Sequence, residues 1–105
     1  MAIAQELLAA TGETPVLIAA GENAVTCIVF CNTSLVTDAT VTCWVVPSAI
    51  AVGPSNMILN EISLPAGETF SIDTERFILN DGDSVQAQAS QDAIVCCTVS
   101  YVQVG

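Results

Sequence analysis

"SVQAQAS", residues 84 to 90, alternates strictly: Val85, Ala87 and Ala89 fall on one side of an extended chain, and Ser84, Gln86, Gln88 and Ser90 on the other. That is the pattern of a half-buried strand, with small apolar groups against a core and amides and hydroxyls facing out. Working outward, runs rich in Val, Ile, Thr and Cys occupy 14–19, 24–31, 39–46, 57–64, 69–73, 76–80 and 93–104. Turn signals separate them: "TGE" at 11–13, "AGEN" at 20–23, "NTS" at 32–34, "VGPSN" at 52–56, "PAGE" at 65–68 and "NDGD" at 80–83. About eight short, evenly spaced strands with this punctuation predict an all-β fold, an antiparallel β-sandwich or jelly-roll-like barrel.

A chain of 105 residues suits one domain with one core, residues 1–105. The segment 1–12 is the ambiguous part. Ile3 and Leu7, or Ala4 and Leu8, are spaced for one helical face with Gly12 as a cap, but a first strand at 4–10 hairpinned through "TGE" into "TPVLIA" is preferred, with an N-terminal arm as the alternative. "AAGENAV" at 19–25 and "PAGETFSI" at 65–72 echo one another. The echo is read as a shared need for glycine at a tight corner and not as a duplication.

Composition narrows function. Charged residues make up 11% and apolar residues 52%, so the surface is built from Ala, Thr, Ser, Asn and Gln. Such a surface loses less on being desolvated by another chain, which favours assembly. Eleven carboxylates face a single cation, Arg76, with no Lys and no His, for a net charge of −10. One arginine makes no basic patch, which excludes nucleic acid and anionic membrane as partners. Without imidazole or lysine, and with no paired carboxylates in a recognisable motif, an enzyme is not expected, nor is any cofactor. "MAIAQELLAA" lacks the cationic and long apolar regions of a secretory signal, and no run reaches the length of a membrane span. A protein made in the cytosol, soluble or assembling there, is expected.

Two motifs invite a metal reading. "NDGDS", residues 80 to 84, lacks the alternate acids and closing Glu of a calcium loop; Asp-Gly between "RFILN" and "SVQAQA" predicts a hairpin, with Asp73 and Glu75 left to complete an incidental cation site. In "TCIVFCNTS", residues 26 to 34, Cys27, Val29 and Cys31 share one face of a strand and Ile28 and Phe30 the other, so the strand reads as buried on both faces. Four residues at about 3.3 Å each hold Cys27 and Cys31 about 13 Å apart, too far for a disulfide. In "AIVCCTVSYVQV", Cys97 joins Val95, Val99 and Tyr101 inward, while Cys96 sits with Thr98 and Ser100. Zinc assembled from Cys27 or Cys31, Cys43 and one of the adjacent pair is the alternative, but neither loop knuckles nor histidine partners are present. Cys27, Cys31, Cys43 and Cys97 are therefore expected as free thiols acting as small core hydrophobes.

The order "GETPVLIAAGENAVTCIVFCNTS", "ATVTCWVV", "ISLPAGETFSIDTERFILNDGDSVQAQAS", "IVCCTVSYVQV" resembles small β-sandwich virion proteins of tailed bacteriophages, which serve as head decoration (cement) proteins and as tail, neck or fibre modules. The residues that carry the resemblance are Cys31 and Asn32 at a strand end, the Pro65 to Gly67 corner and the Leu79 to Asp83 corner. It implies a non-enzymatic virion protein that bridges neighbouring capsid subunits as a homo-oligomer such as a trimer, contacting the shell through loops and an N-terminal arm around Ile3, Leu7 and Leu8. A tail, neck, baseplate or fibre component is the alternative within the particle. A small acidic host-directed binding module is the alternative outside it. The scarcity of aromatics disfavours glycan binding.

Overall fold

The computed structural model describes residues 2–72 and 77–104. Its strands are β1 (Ala2–Leu7), β2 (Thr14–Ile18), β3 (Asn23–Asn32), β4 (Ala39–Val46), β5 (Met57–Leu64), β6 (Thr69–Ile72), β7 (Phe77–Leu79), β8 (Ser84–Ala89) and β9 (Val95–Gln103), with one 3-10 turn at Pro54–Asn56. Sheet A runs β1-β9-β3-β6, with β7 also on β3; sheet B runs β2-β8-β4-β5. β6 pairs with residues 28–31 of β3 and β7 with residues 23–25, so these two strands share one position at the edge of sheet A.

The pairings nest. β4 pairs with β5, β3 with β6 and β7, β2 with β8, and β1 with β9, all antiparallel. The chain is one long two-stranded ribbon, folded back at residues 47–56 and rolled so that β3 meets β9 and β4 meets β8. This is the jelly roll, two four-position antiparallel sheets face to face.

Apart from β4–β5 and β6–β7, the roll places strands that are neighbours in sequence in opposite sheets. β1 belongs to sheet A and β2 to sheet B, so "TGE" is a crossing between sheets and not the hairpin turn expected of it. The N-terminal segment is a paired strand: not a helix, and not a free arm. "NDGD" also crosses from β7 in sheet A to β8 in sheet B. Its turn is tight, with Asp83 N donating to Asn80 O at 3.0 Å and Gly82 at φ 89°. The two Ala-Gly-Glu corners share a backbone requirement, Gly21 at φ 74° and Gly67 at φ 75°, which is reason enough for the echo.

One core fills the space between the sheets. Val25, Ile28 and Phe30 of β3 and Val95, Cys97 and Val99 of β9 supply it from sheet A; Val41 and Cys43 of β4 and Val85, Ala87 and Ala89 of β8 supply it from sheet B. β8 buries the residues that its alternation assigns to the core and leaves Gln86 and Gln88 half-buried on the other side. β3 breaks its alternation once, where Thr26 is the extra residue of a bulge between Val25 and Cys27. The Thr26 hydroxyl lies 3.1 Å from Ser100 O and 3.2 Å from Ser100 Oγ. Below the bulge Ile28 and Phe30 point inward, while Cys27, Val29 and Cys31 are half-buried on the outer face. The reading of this strand as buried on both faces is thereby corrected: no element lies over the outer side of sheet A among the described residues.

Asn32, 1% exposed, closes the end of β3. Its Nδ2 donates to Thr37 O at 2.9 Å and to Leu64 O at 3.0 Å, and its Oδ1 accepts from Ser34 N at 3.0 Å. Leu64 ends β5, so this one amide ties sheet A to sheet B.

Candidate interaction surface

β1, β9, β3 and β6 present a face whose composition follows from their register. Ile3, Gln5 and Leu7 stand opposite Ser100, Thr98 and Cys96. Those in turn stand opposite Cys27, Val29 and Cys31, and Ser71 and Thr69 complete the rows beside Val29 and Cys31. Gln5 Nε2 donates to Thr98 Oγ1 at 3.1 Å, which places both side chains on the same side. No carboxylate and no cation stands among these eleven positions, in a protein of net charge −10. Ile3 is 65% exposed and Leu7 54%.

Seven described acids occupy loops: Glu13, Glu22, Asp38, Glu68, Asp81, Asp83 and Asp92. Four of them accept backbone N–H bonds that tie loops together. Asp38 accepts from Ala66 N at 2.9 Å, Asp81 from Gly21 N at 2.9 Å, and Asp92 from Ala10 N at 2.8 Å. Asp83 takes Ser48 N at 2.8 Å and Asn80 N at 2.9 Å, one on each oxygen. The acids of "NDGDS" thus hold loops, and no cluster of three or more metal-ligating side chains forms among the described residues. Asp73 and Glu75, assigned to an incidental cation site, lie outside the described residues, as does Arg76.

The positions expected to contact a partner divide. Ile3 and Leu7 are exposed on the outer face, but Leu8 is 1% exposed and belongs to the core. At Leu8 the chain turns inward toward the β8–β9 connection: Leu8 N donates to Val95 O at 2.9 Å, and Ala93 N donates to Leu8 O at 3.0 Å. At the end of the roll where β3 leads into β4, Leu35 and Val36 are 87% and 89% exposed. Residues 35 and 36 lie outside every strand pattern in the sequence, so nothing marks them there.

All five cysteines are free thiols. Cys43 and Cys97 are core residues, whereas Cys27, Cys31 and Cys96 lie half-buried on the outer face; the zinc set would have to draw ligands from both sides of a sheet. Burial pushes the Cys43 thiol up to about 12. It pushes Cys97 higher, with the neighbouring Cys43 and Cys96 thiols adding to the effect. Neither core thiol is a nucleophile at neutral pH.

On sheet B an open groove of about 290 Å³ is lined by Thr40, Thr42, Trp44, Met57, Asn60 and Glu61, among others. Trp44 is 7% exposed, and its indole N–H is buried with no hydrogen-bond partner among the described residues. Glu61 sits at φ 48° beside a bulged stretch of the β4–β5 pairing, its N–H bonded to Thr42 Oγ1 at 3.2 Å. With its ring buried, Trp44 offers no open face for stacking on a sugar. No described helix is long and apolar enough to cross a membrane. Compared with family models, curated proteins and solved structures, the chain matches none.

Proposed function

We propose that this chain is a structural protein of a virus particle, a capsid decoration (cement) protein that bridges neighbouring shell subunits without catalysing a reaction. The observation that carries the reading is the uncharged outer face of sheet A, bordered by the exposed Ile3 and Leu7 of edge strand β1. An acidic chain that places seven of its nine described acids in loops and none among these eleven positions has there a surface whose desolvation costs little. The resemblance to small β-sandwich virion proteins of tailed bacteriophages, noted from the sequence, supports the same role. So does the jelly roll, an architecture shared by viral capsid domains, although fold alone does not assign function.

The size of the face fits a repeated contact. Four strand positions about 4.8 Å apart and about seven residues long cover roughly 440 Å². That is about half of what one partner buries in a standard stable interface. Binding through this face is therefore weak per contact and gains strength by repetition in an oligomer, such as a trimer, seated on a lattice. The protein is made in the host cytoplasm and ends in the virion.

Mass spectrometry of purified particles tests the location. Hundreds of copies per particle are expected; a dozen or fewer would move the chain to the neck, tail or baseplate, and complete absence would overturn the virion role in favour of a host-directed factor. Particles lacking the protein should release DNA at lower temperature, and unchanged release would refute cementing. Ile3→Glu with Leu7→Glu should abolish addition to bare shells while leaving the fold intact.

A further inference from the structure

Cys31 of β3 and Cys96 of β9 are register partners in an antiparallel ladder. Both are half-buried on the same outer face of sheet A, and both are free. Two residues further along the same ladder, Thr33 N donates to Ile94 O at 2.7 Å. Hydrogen-bonded and non-hydrogen-bonded pairs alternate in such a ladder, so Cys31 and Cys96 occupy a hydrogen-bonded pair with Cα atoms about 5.5 Å apart. That separation lies inside the disulfide range of about 4.4–6.8 Å. The Cβ atoms of directly opposed residues are about 4.5–5.5 Å apart, at the wide end in a hydrogen-bonded pair, against about 3.5–4.5 Å in a disulfide. Closing the bond must draw the strands together by up to about 1 Å, which leaves it strained and readily reduced.

No other two cysteines are register partners. Cys27 stands opposite Ser100, four residues along β9 from Cys96, which is about 13 Å. It is as far from Cys31 along β3. Cys97 is adjacent to Cys96 but points into the core, as does Cys43.

We propose that Cys31 and Cys96 form a dithiol site that reacts with small-molecule disulfides of the glutathione class and closes reversibly into a cross-strand disulfide between β3 and β9. One thiolate attacks a sulfur of the small disulfide and expels one small thiolate, giving a mixed disulfide on the protein. The second protein thiolate then attacks the protein sulfur of that mixed disulfide and expels the other small thiolate. Two protein thiols are oxidised, one small disulfide is reduced to two small thiols, and the protons pass from the protein thiols to those products. The site is independent of the virion role. The disulfide would lie in the end row of the uncharged face, beside Leu7, the register partner of Cys96.

The test treats the reduced full-length protein with oxidised glutathione, blocks remaining thiols with an alkylating reagent under native conditions, and reads intact mass and linked peptides. Two of the three accessible thiols should escape alkylation, the chain should be two hydrogens lighter, and one linked peptide pair should join Cys31 to Cys96. Cys27→Ser should leave the crosslink unchanged, while Cys31→Ser and Cys96→Ser should stop at the glutathione adduct. Reduced glutathione should reopen the bond. An intermolecular dimer, a Cys96–Cys97 link, glutathione adducts without a crosslink, or no reaction in the wild-type protein would each overturn the proposal, whatever the variants do.

Discussion

Replacing Asn32 probes the join between the two sheets. Asn32→Ala removes two donations and one acceptance that are made in a site 1% exposed, and strands Thr37 O, Leu64 O and Ser34 N beside a small void. At about 1 kcal/mol net for each hydrogen bond, with the larger cost of about 1–3 kcal/mol for a buried group left unpaired, the loss comes to about 3–5 kcal/mol. A domain of this length has roughly 5–15 kcal/mol in all. At about 4–8 °C per kcal/mol, the thermal midpoint should fall by roughly 12–40 °C. Asn32→Asp keeps the shape and sharpens the test, because it turns an NH₂ facing two carbonyl oxygens into an acceptor facing them. Burial and those oxygens raise the new carboxyl group above its unfolded value of about 3.9, so the variant is closest to wild type near that pH and loses stability as pH rises. Urea denaturation of the wild type and both variants at about pH 4 and pH 7 gives the comparison. A loss below about 1 kcal/mol for Asn32→Ala, or a pH-independent deficit for Asn32→Asp, would refute the bridging role.

The glycine corners should separate strain from crowding. Gly67→Ala, with Leu35 Cδ2 at 3.8 Å, should cost about 1 kcal/mol for its positive φ, whereas Gly82→Ala places Cβ 2.7 Å from Ser48 Oγ and should cost clearly more in chemical denaturation. Thiol titration of the reduced native protein at pH 8 should find Cys27, Cys31 and Cys96 reacting fast and Cys43 and Cys97 only after unfolding. Because the Cys43 thiol rises from 9.0 to about 12 on folding, the unfolded chain holds fewer protons above about pH 9. Stability should therefore fall with pH in that window, by up to about 1.4 kcal/mol per pH unit for each core thiol; a flat denaturation midpoint from pH 8 to 11 would contradict this. Trp44, the chain's one tryptophan, should emit at short wavelength when folded and shift to the red on unfolding; red-shifted native emission would mean that the indole is hydrated.

Strand positions were legible because side-chain burial in a sheet repeats every two residues: β8 buries Val85, Ala87 and Ala89, and β9 buries Val95, Cys97 and Val99 while Tyr101 is half-buried against the core. Pairing was not legible. Asp-Gly at residues 81–82 has the chemistry of a hairpin turn, but local turn chemistry does not state whether the next strand stays in the sheet, and here it crosses to the other. The outer face of β3 misled for a related reason. Cys and Val are apolar wherever they point, and only the absence of a covering element makes their side the outside. Leu8 shares a segment with Ile3 and Leu7 and so reads as a surface position with them, although one residue along an extended chain is enough to change faces. The opposition of Cys31 and Cys96 depends on a register spanning most of the chain, which no local pattern contains.

The nested ribbon also imposes an order on folding. Partners such as Trp44 and Met57, near the fold-back, lie about a dozen residues apart, whereas Ala2 and Tyr101 are nearly a hundred apart. Each doubling of a closed loop costs about 0.6 kcal/mol, so the outermost pair closed directly would cost about 1.8 kcal/mol more than the innermost. If β4 and β5 pair first, each later pair closes a loop already shortened by the one before, and the ribbon zips outward until β1 lands on β9. The last strand to arrive is also thinly anchored, with all of its residues exposed except the half-buried Ala4. It is the natural first strand to leave. A copy that sheds β1 uncovers the edge of β9, onto which the β1 of a second copy fits in the same register, so the kinetic end of the zipper is also a place where two chains can exchange a strand.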